Sequence, residues 1–204
     1  MVRPASGVQV FVEGAPGPAL SIECRRAFST LLDRAGFTLA KPSFIACGSR
    51  QRAFERFVSE YKRDAACNAL LLVDSEGPIS QDSPWEHVRM RVGDGWVKPK
   101  RATDDDLHLM VECMEAWIVA DRAALRFYYG KDLQESALPA RADVEKVPKL
   151  DLYEALKRAT RQIGYSKGAD SFKLLMRVDP VVLRRACPWA ERFFAELERR
   201  SPAR

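Results

Sequence analysis

Five apolar residues, Ala69-Leu70-Leu71-Leu72-Val73, run without a break and are closed by Asp74-Ser75-Glu76-Gly77-Pro78. An apolar run of this length ended by turn residues predicts a buried strand, here one whose carboxyl end carries two acids. Side chains alternate along an extended chain, so Asp74 and Glu76 are expected to leave on the same side. Upstream, residues 7–13 (Gly-Val-Gln-Val-Phe-Val-Glu) alternate and are rich in β-branched types, which predicts a first strand ending in Glu13-Gly14. The run Ala15-Pro16-Gly17-Pro18 then reads as a turn. Leu20, Cys24, Ala27, Phe28, Leu31, Leu32 and Ala35 keep helical spacing, with Arg25, Arg26 and Arg34 off that face and Gly36 as a stop. Residues 42–47 predict a second strand. Ser49 is a sound N-cap for a second helix, in which Phe54, Phe57, Val58 and Tyr61 recur at i, i+3, i+4 and i+7.

Strand, helix, strand, helix, strand, with crossovers of this length, predicts an α/β fold: a parallel sheet flanked by helices, of Rossmann type. Residues 107–111 add a strand followed by a helix. From Asp151 onward the pattern is helical. Leu152, Tyr153 and Leu156 come first, then Phe172, Leu175 and Met176, then a helix opened by Asp179-Pro180, then Trp189, Phe193, Phe194 and Leu197. The expected organisation is an α/β core over residues 1–120 with a helical C-terminal extension, residues 121–204, packed on the same domain. Irregular chain is expected over residues 77–106 and 134–148.

In a parallel sheet, ligands collect beyond the carboxyl ends of the strands. Glu13 ends the first strand, and Asp74 and Glu76 end the third, so all three acids are expected at one rim. Carboxylates placed together repel, and the usual compensation is a hard divalent cation or a shared proton. An ordinary acidic turn is the plainer reading of Asp74-x-Glu76 taken alone.

Composition narrows the classes. The 204 residues carry a net charge of +5, mildly basic, which suits a nucleic acid or nucleotide substrate without requiring one. Lys157, Arg158, Arg161, Lys173, Arg177, Arg184, Arg185 and Arg192 make the C-terminal part basic; a nucleic-acid backbone, an acidic partner or a solvated face all account for that. The five cysteines are scattered and contain no C-x-x-C pair, so neither a zinc knuckle nor a disulfide framework is indicated. His108 and Glu112 lie four apart, but no third ligand accompanies them and a zinc site is not expected. No apolar run approaches a membrane span and the opening residues lack a signal-peptide core, so a soluble, cytoplasmic protein without membrane contact is expected. There is no P-loop and no base-reading motif.

A Glu-Gly closing the first strand and D-x-E closing a later one resemble the Toprim domain of topoisomerases, primases and OLD-type nucleases. The segment Cys113-Met114-Glu115-Ala116-Trp117 resembles the "CFE-x-W" segment of RloB-like proteins, and Tyr165-Ser166-Lys167 their Tyr-x-Lys. Taken in order, these motifs resemble an uncharacterised bacterial Toprim-like family, close to RloB-like proteins and OLD-family Toprim domains, over nearly the whole chain. The resemblance implies a Mg²⁺- (or Mn²⁺-) dependent phosphodiester-cleaving, nuclease-like enzyme acting on DNA or RNA, in phage defence beside a separate ABC-class ATPase. It implies Glu13, Asp74 and Glu76 as metal ligands, with Glu13 also moving a proton, and Lys167 as a catalytic cation. Glu115 either supports that rim or pairs within its own helix while Trp117 fills the core. Gly48-Ser49-Arg50 offers a phosphate seat at a helix N-terminus, or simply an N-cap beside a solvated arginine. One departure is plain: where Toprim nucleases commonly carry an acid four positions after the strand-end Glu, this chain has Gly17. A catalytically weak Toprim-fold subunit, regulating or binding such an ATPase, is therefore the alternative, and a small-molecule phosphotransferase a third.

Overall fold

The computed structural model describes residues 7–14, 17–38, 41–64, 66–140 and 143–201; Ala15 and Pro16 of the expected first turn lie outside them. Four parallel strands, β1 (Gln9–Val12), β2 (Ser43–Ala46), β3 (Ala69–Asp74) and β4 (Leu107–Met110), form one sheet in the order β2-β1-β3-β4. In register, Val12 lies beside Ala46 and Leu72, and Asp74 beside Met110. Helices α1 (Pro18–Arg34) and α2 (Arg50–Arg63) make the first two crossovers. The chain is thus an α/β protein of Rossmann-like form.

β3 shows why the sheet sits where it does. All six of its residues are buried, with Leu70 and Leu72 in one core and Ala69, Leu71 and Val73 in the other. A strand covered on both faces must be apolar at every position, which is the unbroken run seen in the sequence. Each fully buried leucine contributes about 1.5–3 kcal/mol. On one face the core is closed by α2 and α3 (Pro84–Met90). On the other it is closed by α1 and the later helices: α4 (Glu115–Ala120), α5 (Arg122–Tyr129), α6 (Lys149–Ala159), α7 (Ala169–Leu175), α8 (Pro180–Ala186) and α9 (Pro188–Arg200). One hydrophobic cluster runs from Val8 to Leu197, so the C-terminal helices share the core of the sheet.

Polar ties hold that arrangement. Arg200 binds Asp106 at 2.6 Å and the Ala69 carbonyl at 3.3 Å, and Arg192 the Leu107 carbonyl at 3.1 Å, so α9 clasps the starts of β3 and β4. The Asp121 carboxylate accepts the Ala124 and Asp179 N–H groups at 3.0 and 2.8 Å, joining the starts of α5 and α8. The stretch 77–106, expected to be irregular, contains α3. Its signal was the capping pattern Ser83-Pro84-Trp85-Glu86, and the Ser83 hydroxyl accepts the Glu86 N–H at 3.4 Å. The stretch 134–148 holds two single 3₁₀ turns. All five cysteines are free. His108 is buried against Phe193 and held neutral, its pKa pushed down to about 3 mainly by burial, and the protonated form is excluded from the fold. No helix among the described residues is long and apolar enough to cross a membrane.

Two stability predictions follow from this packing. Trp117 is fully buried between Phe28 and Phe193, so Trp117→Ala is expected to cost about 3–5 kcal/mol in urea denaturation. Glu145 accepts the Trp189 N–H at 3.3 Å through one oxygen while the other is buried without a partner, and burial raises its pKa from 4.5 to about 7. A raised carboxyl pKa means that the folded state holds the extra proton, so stability falls as pH rises from about 4.5 to 7. Glu145→Gln should therefore melt higher than the wild type at pH 8, by roughly 2–4 °C per kcal/mol gained, and nearly with it at pH 4.

Candidate active site at the carboxyl edge of the sheet

β1 and β3 are neighbours in register, so Glu13, just past Val12, lies close to the end of β3. One carboxylate oxygen each from Glu13, Asp74 and Glu76 lies within 4.8 Å of the others. The three residues are thus brought together, but Glu76 does not get there by strand alternation. β3 stops at Asp74, and Glu76 takes a left-handed backbone, φ 62°. Glu112, just past β4, does the same at φ 61°. Such conformations cost non-glycine residues on the order of 1–3 kcal/mol and persist only where surrounding contacts impose them. Here the contacts are mutual: Glu76 N–H donates to the Glu112 carbonyl at 3.2 Å, Glu112 N–H to the Ser75 hydroxyl at 2.7 Å, and Ser75 N–H to the Met110 carbonyl at 2.8 Å.

Lys149 completes the cluster, and no pattern in the sequence marks it. Its Nζ lies 2.6 Å from Glu76 and 3.9 Å from Asp74, while its backbone N–H donates to the Glu112 carboxylate at 2.8 Å. Pro148-Lys149 reads as a plain helix start; only the tertiary fold delivers it to the acids. Burial opposes its charge, yet the Glu76 hydrogen bond and the nearby Asp74 outweigh that and hold its pKa above the usual lysine value.

Arg50 does not present itself to a phosphate. Its guanidinium pairs with Asp94 at 2.6 Å, packs over Trp96 at 4.6 Å and donates to the Asp74 carbonyl. The Ser49 N-cap does form, its hydroxyl accepting the Arg52 N–H at 3.3 Å. Gly14 earns its place by fit: a Cβ there would meet Ala46 at 3.4 Å and the Cys24 sulfur at 3.7 Å.

A cavity of about 440 Å³ opens on the acids and is lined by Glu13, Asp74, Met114, Glu115, Lys167 and Ser171. Glu115 reaches the cavity and pairs outside its own helix, while Trp117 fills the core as expected. The Tyr153 and Tyr165 hydroxyls donate to the two oxygens of Glu115 at 3.1 and 2.7 Å. Both tyrosine pKa values are pushed well up, by burial first and then by Glu115, so these hydroxyls stay protonated. Lys167 lies at the cavity with its Nζ 5.0 Å from the Tyr153 ring.

Burial raises the pKa of Glu13, and Glu76 adds to it against the pull of Arg50. Asp74 stands well above the carboxylate range, through burial and then the charges of Glu13 and Glu115. Glu13 Oε2 is buried with no hydrogen-bond partner. A family model, described as a domain of unknown function (DUF4276), matches residues 21–198. The chain belongs to that family. No curated protein and no solved structure matches it. The match begins beyond Glu13 and spans the other acids, Lys149 and Lys167.

A divalent cation held at these acids would compete with protons on Glu13 and Asp74, so Mn²⁺ affinity measured by calorimetry is expected to rise with pH. The apparent heat should also change with the buffer's ionisation enthalpy, and Asp74→Asn should abolish binding.

Proposed function

We propose that this rim is a divalent-cation centre for phosphodiester cleavage in DNA or RNA, on a Toprim-like domain. The observation that carries the reading is the convergence of Glu13, Asp74 and Glu76, with the inner oxygen of Glu13 buried and unpartnered. A buried carboxylate oxygen without a donor is costly, and an oxygen-seeking cation satisfies it. Glu13, Asp74 and Glu76 would hold Mg²⁺ or Mn²⁺, which supplies charge neutralisation at a phosphate and acidification of water.

The chain's own groups then have defined work. Glu13, whose pKa is already raised, takes the proton of the attacking water. Lys167, at the cavity wall, neutralises charge developing on the phosphate. Glu115, fixed by two tyrosines, holds the side of the cavity facing Asp74. Arg50 acts from behind, pinning the Asp74 backbone rather than touching substrate.

Two observations favour the alternative, a catalytically weak Toprim-fold subunit of an ABC-class ATPase. The Lys149 ammonium already answers Glu76, and Gly17 stands where a further acid is common. Cleavage of mixed DNA and RNA substrates with Mg²⁺ or Mn²⁺ separates the two. Metal-dependent cleavage that falls about a hundredfold or more in both Glu13→Gln and Asp74→Asn is the expected result. Absence of both cleavage and metal binding would leave the regulatory subunit standing.

A further inference from the structure

A second concavity lies away from the acids. A groove of about 850 Å³ runs between α2 and residues 96–101, its helical wall formed by Gln51, Phe54, Val58 and Lys62. Those positions follow one face of α2 for about 16 Å at 1.5 Å per residue. α2 begins at the carboxyl edge of the sheet and ends at the opposite edge. The groove therefore runs alongside the sheet and finishes at Trp96 and Asp94, where Arg50 links it to the Asp74 backbone.

Its charge is one-sided. Lys62, Lys98, Lys100 and Arg101 line it, and the sole lining acid, Asp94, is already paired with Arg50 at 2.6 Å and Arg91 at 3.0 Å. Lys98 is 4.0 Å from Asp104, while Lys62 and Lys100 form no ion pair among the described residues. Between the lysines lies an apolar strip: Phe54 and Val58, partly buried, and Val97, 76% exposed. The wall is firm, because Phe54 stacks on Trp96 at 4.5 Å and the Trp96 indole N–H donates to Gln51 at 2.9 Å.

Two lysines without an ion pair, Lys62 and Lys100, together with Lys98 beside apolar surface, fit a polyanion that also carries flat apolar groups. A duplex offers such a groove only its phosphates and sugars, whereas a single strand can lay phosphates on the lysines and bases on the strip. We propose that this groove is a track for single-stranded nucleic acid, bound without regard to sequence, alongside the sheet whose carboxyl edge carries the acids. It deepens the cleavage reading by naming the substrate class, and rests on that reading only for the fate of the strand.

Binding is measured by fluorescence anisotropy with labelled oligo-dT, oligo-U and a mixed-sequence duplex of equal length, in EDTA, so that the metal centre takes no part. The expected result is that wild type binds the single strands more tightly than the duplex. Lys62→Glu, Lys98→Glu and Lys100→Glu together should weaken single-strand binding at least about tenfold. They should also reduce the salt slope by about 2, at roughly 0.7 per lost phosphate contact. The glutamine triple should fall between, and Lys157→Glu, Arg161→Glu and Lys173→Glu on the C-terminal helices should bind as wild type does. Unchanged melting temperatures establish that the groove variants are folded. Equal binding by the groove variants, equal loss in the C-terminal set, preference for the duplex, or no binding by wild type would each overturn the proposal. Strand binding lost in the groove triple, with no cleavage under any metal, would keep the track and sink the cleavage reading; cleavage insensitive to the triple would do the reverse.

Discussion

Three carboxylates within 4.8 Å of one another, two of them with raised pKa values, are the constraint around which this rim is built. Like charges at that range in a poorly hydrated place are costly. Several groups packed against them lower the cost. Lys149 comes from the start of α6 to pair with Glu76, Met114 N–H donates to Asp74 at 2.9 Å, and the charge of Arg50 acts on Glu13 from below. The left-handed turns at Glu76 and Glu112 are part of the same construction. They lock into each other through Ser75, and the Glu112 carboxylate holds the backbone that carries Lys149.

That dependence explains why the C-terminal helices are more than an appendage. α6 delivers Lys149 and Tyr153, the loop before α7 delivers Tyr165 and Lys167, and the α/β layer supplies the acids. Neither half contains a complete centre. The shared core from Val8 to Leu197 and the clasp of Arg200 on the start of β3 therefore fix the geometry of the site as well as the stability of the fold.

The sheet was legible because its physics is local. An apolar run such as Ala69 to Val73 has one economical use, and the crossover spacing leaves a parallel arrangement as its consequence. The convergence of Glu13 with Asp74 and Glu76 was legible too, since strand ends in such a sheet share a rim. Lys149 was not, because nothing in Pro148-Lys149 differs from an ordinary helix start, and its partner Glu76 lies 73 residues away. Arg50 was half legible. The N-cap beside it is a local pattern, whereas its engagement by Asp94 depends on where residues 91–96 cross α2, and that loop has no periodicity to read.

Lys149 also decides what a cation at the rim must do. Its ammonium is a monovalent partner for Glu76 and only a distant one for Asp74, at 3.9 Å, and it leaves Glu13 Oε2 without a donor. A lysine can therefore neutralise one edge of the cluster but cannot satisfy its interior. A small divalent ion can engage several oxygens at once, which a single ammonium on a tethered stem does not match here. The ammonium thus steadies the outer acid, and Glu13 Oε2 is left without a hydrogen-bond partner. Removal of Lys149 would leave Glu76 without its ion-pair partner at the rim.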